Sequence, residues 1–160
     1  MREREFETIH RSTILLADDN QFMRRLTRTM LNNLGVRSVI EVTDGASALE
    51  VIHASRPDVL LTEWHLPVVG AGHVIRSIRR SANARCRNLP VIVLTTQSDR
   101  ASVLEAMRAG ANEFLEKPTS AAALKDRLAC VMSRPRPVVR VGKYLVPVPR
   151  IQAKAEQNPA

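Results

Sequence analysis

Cysteine is scarce. The two present, Cys86 and Cys130, lie far apart in helical or loop sequence, with neither metal-ligand spacing nor a framework of paired bridges. They read as reduced thiols, and the expected localisation is cytoplasmic. Long apolar runs are missing too: nothing approaches the roughly 18 uninterrupted apolar residues of a membrane span. Residues 1–7 alternate Arg and Glu where an export signal would need an apolar core. Neither export nor membrane insertion is expected. Also missing are an internal repeat, a second domain, a helix-turn-helix, and any nameable set of nucleophile, general acid and substrate pocket. The chain is therefore expected not to be an enzyme.

Negative charge is in deficit, but unevenly. The formal net charge of +8 is made up of zero over 1–11, +3 over 12–133 and +5 over 134–160, where six Lys and Arg face one Glu. Such a tail can meet phosphate backbone or acidic lipid through unspecific electrostatics, although solubility is the commoner reason for it. A nucleic-acid adaptor acting through the tail is thus the less favoured reading, and it would bind with steep salt dependence. The 160 residues suffice for one domain that buries a core without staples. The organisation expected is an N-terminal extension over 1–11, a domain over 12–133 and a basic Pro- and Val-rich C-terminal tail over 134–160.

Within 12–133 five short apolar runs alternate with five stretches of helical period, the pattern of an α/β domain with a parallel sheet. The runs are Thr13–Ala17, Val39–Val42, Val59–Glu63, Val91–Thr95 and Glu113–Leu115. ILLA, VLL and VIVL are continuously apolar, as strands covered on both faces must be. The first predicted helix turns Phe22, Leu26 and Met30 inward, with Met23 and Leu34, and ends at Gly35. The second follows Asp44-Gly45 and buries Ala48, Leu49 and Ile52. The third is anchored on Val74, Ile75 and Ile78 and leaves Arg76, Arg79 and Arg80 to solvent. The fourth turns Val103, Leu104 and Met107 inward before Gly110, and the fifth starts at an Ser120 cap and buries Leu124, Leu128 and Val131. Prolines 135, 137, 147 and 149 argue against a packed helix beyond Ser133. The valines among them suit an extended arm lying on this domain, on a second copy or on another protein.

In an open parallel sheet functional groups gather where the strands end at their carboxyl side. That rule brings together Asp18 and Asp19 after the first strand, Glu63 after the third, Thr95 after the fourth and Lys117 after the fifth. LLADDNQFMRRLTRTMLNNLG, VTDGASALE, DVLLTEWHLP, LPVIVLTTQ and GANEFLEKP stand in the order and spacing of a response-regulator receiver domain. The chain resembles that family over nearly all of 12–133, and DDNQFMRR and EWHLP are particularly similar to its stand-alone chemotaxis type. The resemblance implies a flavodoxin-like (βα)5 doubly wound parallel sheet with strand order 2-1-3-4-5. It also implies Mg2+ held by Asp18, Asp19, the residue at position 63 and the backbone carbonyl of His65. Oxygen donors of this kind suit a hard cation. Lys117 and Thr95 would contact a phosphoryl group, Phe114 would turn with Thr95, and His65 and Gln97 would tune the phosphoryl lifetime.

The departures are local. The acceptor position carries Glu63, where the resemblance calls for aspartate, and one added methylene moves the carboxylate outward by roughly 1.5 Å in a site built for in-line attack. Such a side chain either imitates the phosphorylated state by reaching Thr95 and Lys117, or pairs with Lys117 and closes an inactive site. The following loop reads Pro67-Val68-Val69-Gly70-Ala71-Gly72 where the family has Pro-x-Met-Asp-Gly, so its acidic residue is absent. Two drifts in one neighbourhood favour natural divergence over an introduced Asp→Glu change. The expected role is a phosphorylation-independent signalling module in a two-component system. A working phosphorelay receiver is the alternative. Expected partners are a histidine kinase, a phosphotransfer protein or another signalling protein. They would dock on the face of the fourth helix, fifth strand and fifth helix, with Arg100, Glu105, Arg108, Glu113, Lys125 and Arg127 as candidates. Self-association through that face or the tail is a further option.

Overall fold

The computed structural model describes residues 3–149. Its elements are α1 (Glu3–Arg11), β1 (Thr13–Ala17), α2 (Gln21–Asn33), β2 (Ser38–Val42), α3 (Gly45–Ser55), β3 (Val59–Thr62), α4 (Ala71–Arg79) and α5 (Ala84–Arg87). They continue with β4 (Val91–Thr95), α6 (Arg100–Ala109), β5 (Glu113–Glu116), α7 (Ala121–Ser133), β6 (Val138–Val141) and β7 (Tyr144–Pro147). The five parallel strands lie in the order β2-β1-β3-β4-β5, the flavodoxin-like arrangement.

The apolar strands alternate their side chains between two core layers, as a period of two requires. Leu15, Ala17, Leu60, Val91 and Val93 point to one layer, which Ala48 and Ile52 of α3, Val74, Ile75 and Ile78 of α4, and Ala106 and Ala109 of α6 complete. Ile14, Leu16, Leu61, Ile92 and Leu94 point to the other, closed by Ile9 of α1, Leu31 of α2, and Leu124, Leu128 and Val131 of α7. Asn20, Asp44, Asn83, Asp99 and Ser120 each cap a helix by accepting from a backbone N–H three residues on.

Two helices are rotated from the expected faces. In α2 the buried residues are Thr27 and Leu31, while Phe22 is 75% and Leu26 37% exposed. At about 100° per residue Phe22 lies some 140° around the helix from Thr27, and the Thr27 hydroxyl can go inside because it donates to Met23 O at 2.9 Å. In α6 the small side chains of Ala106 and Ala109 face the core and allow close packing, leaving Leu104 and Met107 partly outside.

The third correction is Arg79, which lies in the core at 1% exposure instead of in solvent. It donates to Gly110 O (2.9 Å), Arg87 O (2.8 Å), Leu89 O (2.7 Å) and Asn112 Oδ1 (2.9 Å), so one guanidinium ties α4 to three later segments. Burial pushes its pKa down to about 10, which leaves it charged at neutral pH.

The described parts of both flanks, 3–11 and 134–149, carry secondary structure. Residues 3–11 form a helix against α7, with Ile9 buried and His10 Nδ1 2.7 Å from Gly35 O. A Cβ on Gly35 would strike the His10 ring, and its φ of +84° already favours glycine. After α7 the chain forms the antiparallel hairpin β6–β7, turned at Gly142 (φ +60°) and lying against α4 and α6. Of the surfaces the sequence left open for this arm, it takes this domain's own. Val138 N donates to Asn88 Oδ1 at 2.9 Å and Arg136 Nη2 to Asn112 O at 2.8 Å. Residues 150–160 of the expected tail lie outside the described residues.

Candidate functional site

The strand ends deliver a buried charge network. Asp18 follows β1 and extends the ladder, its N–H donating to Val42 O at 3.1 Å. Its carboxylate is buried; Oδ1 accepts from Asn20 N (2.9 Å) and Oδ2 from Lys117 Nζ (2.6 Å). Glu63 follows β3, with its own N–H on Ala17 O at 2.9 Å. Its Oε2 accepts from Lys117 Nζ at 2.7 Å, and its Oε1 from the Thr95 hydroxyl at 2.5 Å and Trp64 N at 3.0 Å. Thr95 ends β4 fully buried, and its hydroxyl oxygen accepts from Gln97 N at 3.2 Å. Lys117 follows β5, N–H to Thr95 O at 2.8 Å, and its peptide to Pro118 is cis.

One ammonium is thus shared by two carboxylates in a nearly dry place. Burial alone would pull the Lys117 pKa down, but hydrogen bonds and charge from Asp18 and Glu63 outweigh it, and the group sits above the ordinary lysine value. The network's strength depends on all three members, because removing one leaves buried charge uncompensated.

Asp18, Glu63, Thr95 and Lys117 are therefore brought together. Asp19 is not bonded to them; it is exposed and borders a recess of about 650 Å³ with Trp64, His65, Arg76, Arg108 and Tyr144. Among the described residues no three His, Cys, Asp or Glu side chains gather as a metal cage. Phe114 is half-buried against the α3–α4–α6 core layer. Glu113, expected on an outer face, is instead 6% exposed, with Arg127 at 3.4 Å and Arg136 at 3.8 Å from its carboxylate. The expectation failed because the side chain points under α7 and the start of the hairpin.

Sequence reasoning missed the Trp64 N–H, a donor that no side-chain pattern reveals. It also missed why Gly45 is glycine. A Cβ there would lie 1.8 Å from Val69 O, so the loop after β3 passes directly over the start of α3, held by Gly45 N on Pro67 O at 3.3 Å. Val68 in that loop has φ +67°, a strained value for a β-branched residue, and is 83% exposed.

Comparison with known proteins agrees with this arrangement. The model for the response regulator receiver domain matches residues 14–129. The chemotaxis protein CheY of Pseudomonas aeruginosa is 34% identical over 121 residues, covering 76% of this chain and 96% of that protein. The Vibrio cholerae protein CheY-3 is 33% identical over 76% of this chain and 92% of its own length. Among solved structures, the receiver domain of a P. aeruginosa sensor histidine kinase, which holds a magnesium ion in its active-site cleft, superposes with a TM-score of 0.71. It is 32% identical, over 77% of this chain and 98% of that one. A response regulator from Chloroflexus aurantiacus gives a TM-score of 0.73 at 27% identity, over 78% and 99%. With the five-stranded order, the strand-end cluster and these matches together, the chain belongs to the response-regulator receiver family of two-component signalling.

Proposed function

We propose that this receiver signals without being phosphorylated, with Glu63 standing at the position where the family's aspartate accepts phosphate. The observation that carries the reading is that both Glu63 carboxylate oxygens are already committed, one to Thr95 and Trp64 and the other to Lys117. The longer side chain supplies an anion to the same hydroxyl and ammonium that a phosphoryl group would engage. Thr95 and Lys117 are then held without any transfer, and the module has one signalling state in place of two. In-line attack from Glu63 is doubly disfavoured: its carboxylate is displaced by a methylene, and its charge is stabilised by three donors.

The donor types fit magnesium. Asp18, Asp19 and the backbone carbonyl of His65 would hold it, and the ion would offset carboxylate charge when bound. Lys117 already compensates Asp18, so the protein does not depend on the ion to keep the network together.

The module's work is then protein docking. The face of α6, β5 and α7 exposes Leu104 (42%) and Met107 (37%), with Arg100, Glu105 and Arg108 around them. Apolar side chains ringed by charge suit a histidine kinase, a phosphotransfer protein or another signalling protein. The test is intact-mass spectrometry of the native chain and Glu63→Asp after incubation with Mg2+ and acetyl phosphate. A labile phosphoryl adduct on the variant alone is the expected result. An adduct on the native chain, mapped to Glu63, would make it a conventional phosphorelay receiver.

A further inference from the structure

A second recess, of about 290 Å³, lies between α4, α6 and the hairpin, and basic residues make up most of its lining, with Ala109, Tyr144 and Leu145. Arg76 and Arg80 come from α4 and its end, Arg108 from α6, and Arg140 and Lys143 from the hairpin, around Tyr144. No carboxylate lines it. Arg24, Arg28, Arg85, Arg127 and Arg136 reach Asp or Glu, and Arg79, in the wall of this recess, is saturated by oxygen acceptors, while Arg25, Arg37 and Arg100 at the surface have no side-chain partner among the described residues. Here the side chains of Arg76, Arg80 and Arg140 have no hydrogen bond or ion pair among the described residues, and those of Arg108 and Lys143 meet only the Tyr144 ring, at 6.0 and 5.5 Å.

Holding five like charges around one cavity is unfavourable unless something negative enters it. The C-terminal ends of α4 and α6 attract basic residues through their dipoles, which accounts for Arg76, Arg80 and Arg108. It does not account for Arg140 and Lys143, which arrive on a separate hairpin whose closing strand seats Leu145 O so near Gly110 that a Cβ there would be 2.8 Å away. That hairpin lies outside the residues that match the receiver family.

We propose that this recess is a binding site for a small anion carrying more than one phosphate. Guanidinium forks match phosphate oxygens pairwise, and arginine supplies four of the five exposed cations, with the already saturated Arg79 in the wall behind them. The volume sits at the low end of small-molecule sites, which run from about 300 Å³ upward. A cavity walled by three elements favours a compact ligand over the extended stripe that a nucleic-acid backbone follows. It also shares Arg76, Arg108 and Tyr144 with the larger recess that reaches Asp19 and His65, so a ligand here would adjoin the acceptor end of the sheet. The inference does not depend on how Glu63 is read.

The test is isothermal titration calorimetry of the full chain with inorganic triphosphate and with ATP at about 0.15 M salt, where long-range attraction is screened. The expected result is saturable one-to-one binding that Arg76→Ala/Arg140→Ala weakens at least about tenfold, with a melting temperature of the ligand-free protein that does not fall, because both side chains are exposed and unbonded and their removal relieves repulsion. Equal affinity for the two probes would identify the phosphate chain as the recognised group, and tighter ATP binding a nucleotide. No heat with either probe, or binding that the double variant leaves intact, would overturn the proposal. So would affinity for duplex DNA that exceeds both and falls with the same substitutions, since the basic residues would then serve a backbone track.

Discussion

Two basic side chains are buried among the described residues, and they are held in opposite ways. Lys117 is compensated by full charges, Asp18 and Glu63, and its pKa is raised. Arg79 has no carboxylate; three carbonyls and an amide oxygen hold it, and its pKa falls to about 10. Dipoles satisfy the donors of Arg79 but repay only part of the cost of taking its charge out of water. Arg79 therefore works as a framework tie, its donors spent on backbone and amide oxygens although it stands in the wall of the basic recess. Lys117 sits where anions converge, which is where a signalling site can read a change of charge.

The largest effect expected from breaking this comparison is at Arg79. Arg79→Ala would strand the buried carbonyls of Leu89 and Gly110, untie Arg87 O and Asn112 Oδ1, and cost on the order of 3–5 kcal/mol, read by urea denaturation. Arg79→Lys would recover little, because one ammonium cannot span the same fork. Lys117→Met comes next, at about 3 kcal/mol, since two carboxylates would then face each other unshielded. Adding Glu63→Gln to it should restore part of the loss in the same assay. Glu63→Gln alone should cost less, roughly 1–2 kcal/mol, because Asp18 still pairs with Lys117.

Alkaline pH sharpens the contrast, since the two signs differ. The raised Lys117 pKa contributes stability that is complete below the ordinary lysine value of about 10.4 and is lost as pH rises through the folded value. The lowered Arg79 pKa acts the other way, because above about 10 the unfolded chain holds that proton more firmly than the folded one. The stability gap between native protein and Lys117→Met should therefore be constant from neutral pH to about 10 and shrink above it. A gap that widened there would mean that Asp18 and Glu63 do not hold the ammonium.

Much of the sheet was legible because its signal is composition: Ile14–Leu16, Val59–Leu61 and Val91–Leu94 have no polar residue to misplace. The site was legible for a related reason. Strand ends converge, and Asp18, Glu63, Thr95 and Lys117 each stand at the end of a strand or one residue past it. Helix faces were harder, because α2 buries Thr27 and α6 buries alanines, and neither stands out beside Phe22 or Leu104. Arg79 was misread since its neighbours Arg76 and Arg80 are indeed exposed, and only the carbonyls that arrive from residues 87–110 make its burial tolerable. The flanks were read only in part: the extended arm was legible, its hairpin and the helix over residues 3–11 were not. Alternating Arg and Glu over residues 2–5 masked Ile9 and His10, which dock α1. The prolines masked a Gly142-Lys143 turn between two apolar runs.

The central claim is that Glu63 already does to Thr95 and Lys117 what a phosphoryl group would do. It is tested most directly by nitrogen-15 NMR of the backbone amides of Thr95, Gln97, Phe114 and Lys117, before and after adding Mg2+ with the phosphoryl analogue beryllofluoride. The account predicts that these resonances stay in place in the native chain and shift in Glu63→Asp. If those of the native chain moved as far as the variant's, Glu63 would be leaving the switch free for a phosphoryl group, and the claim would be wrong.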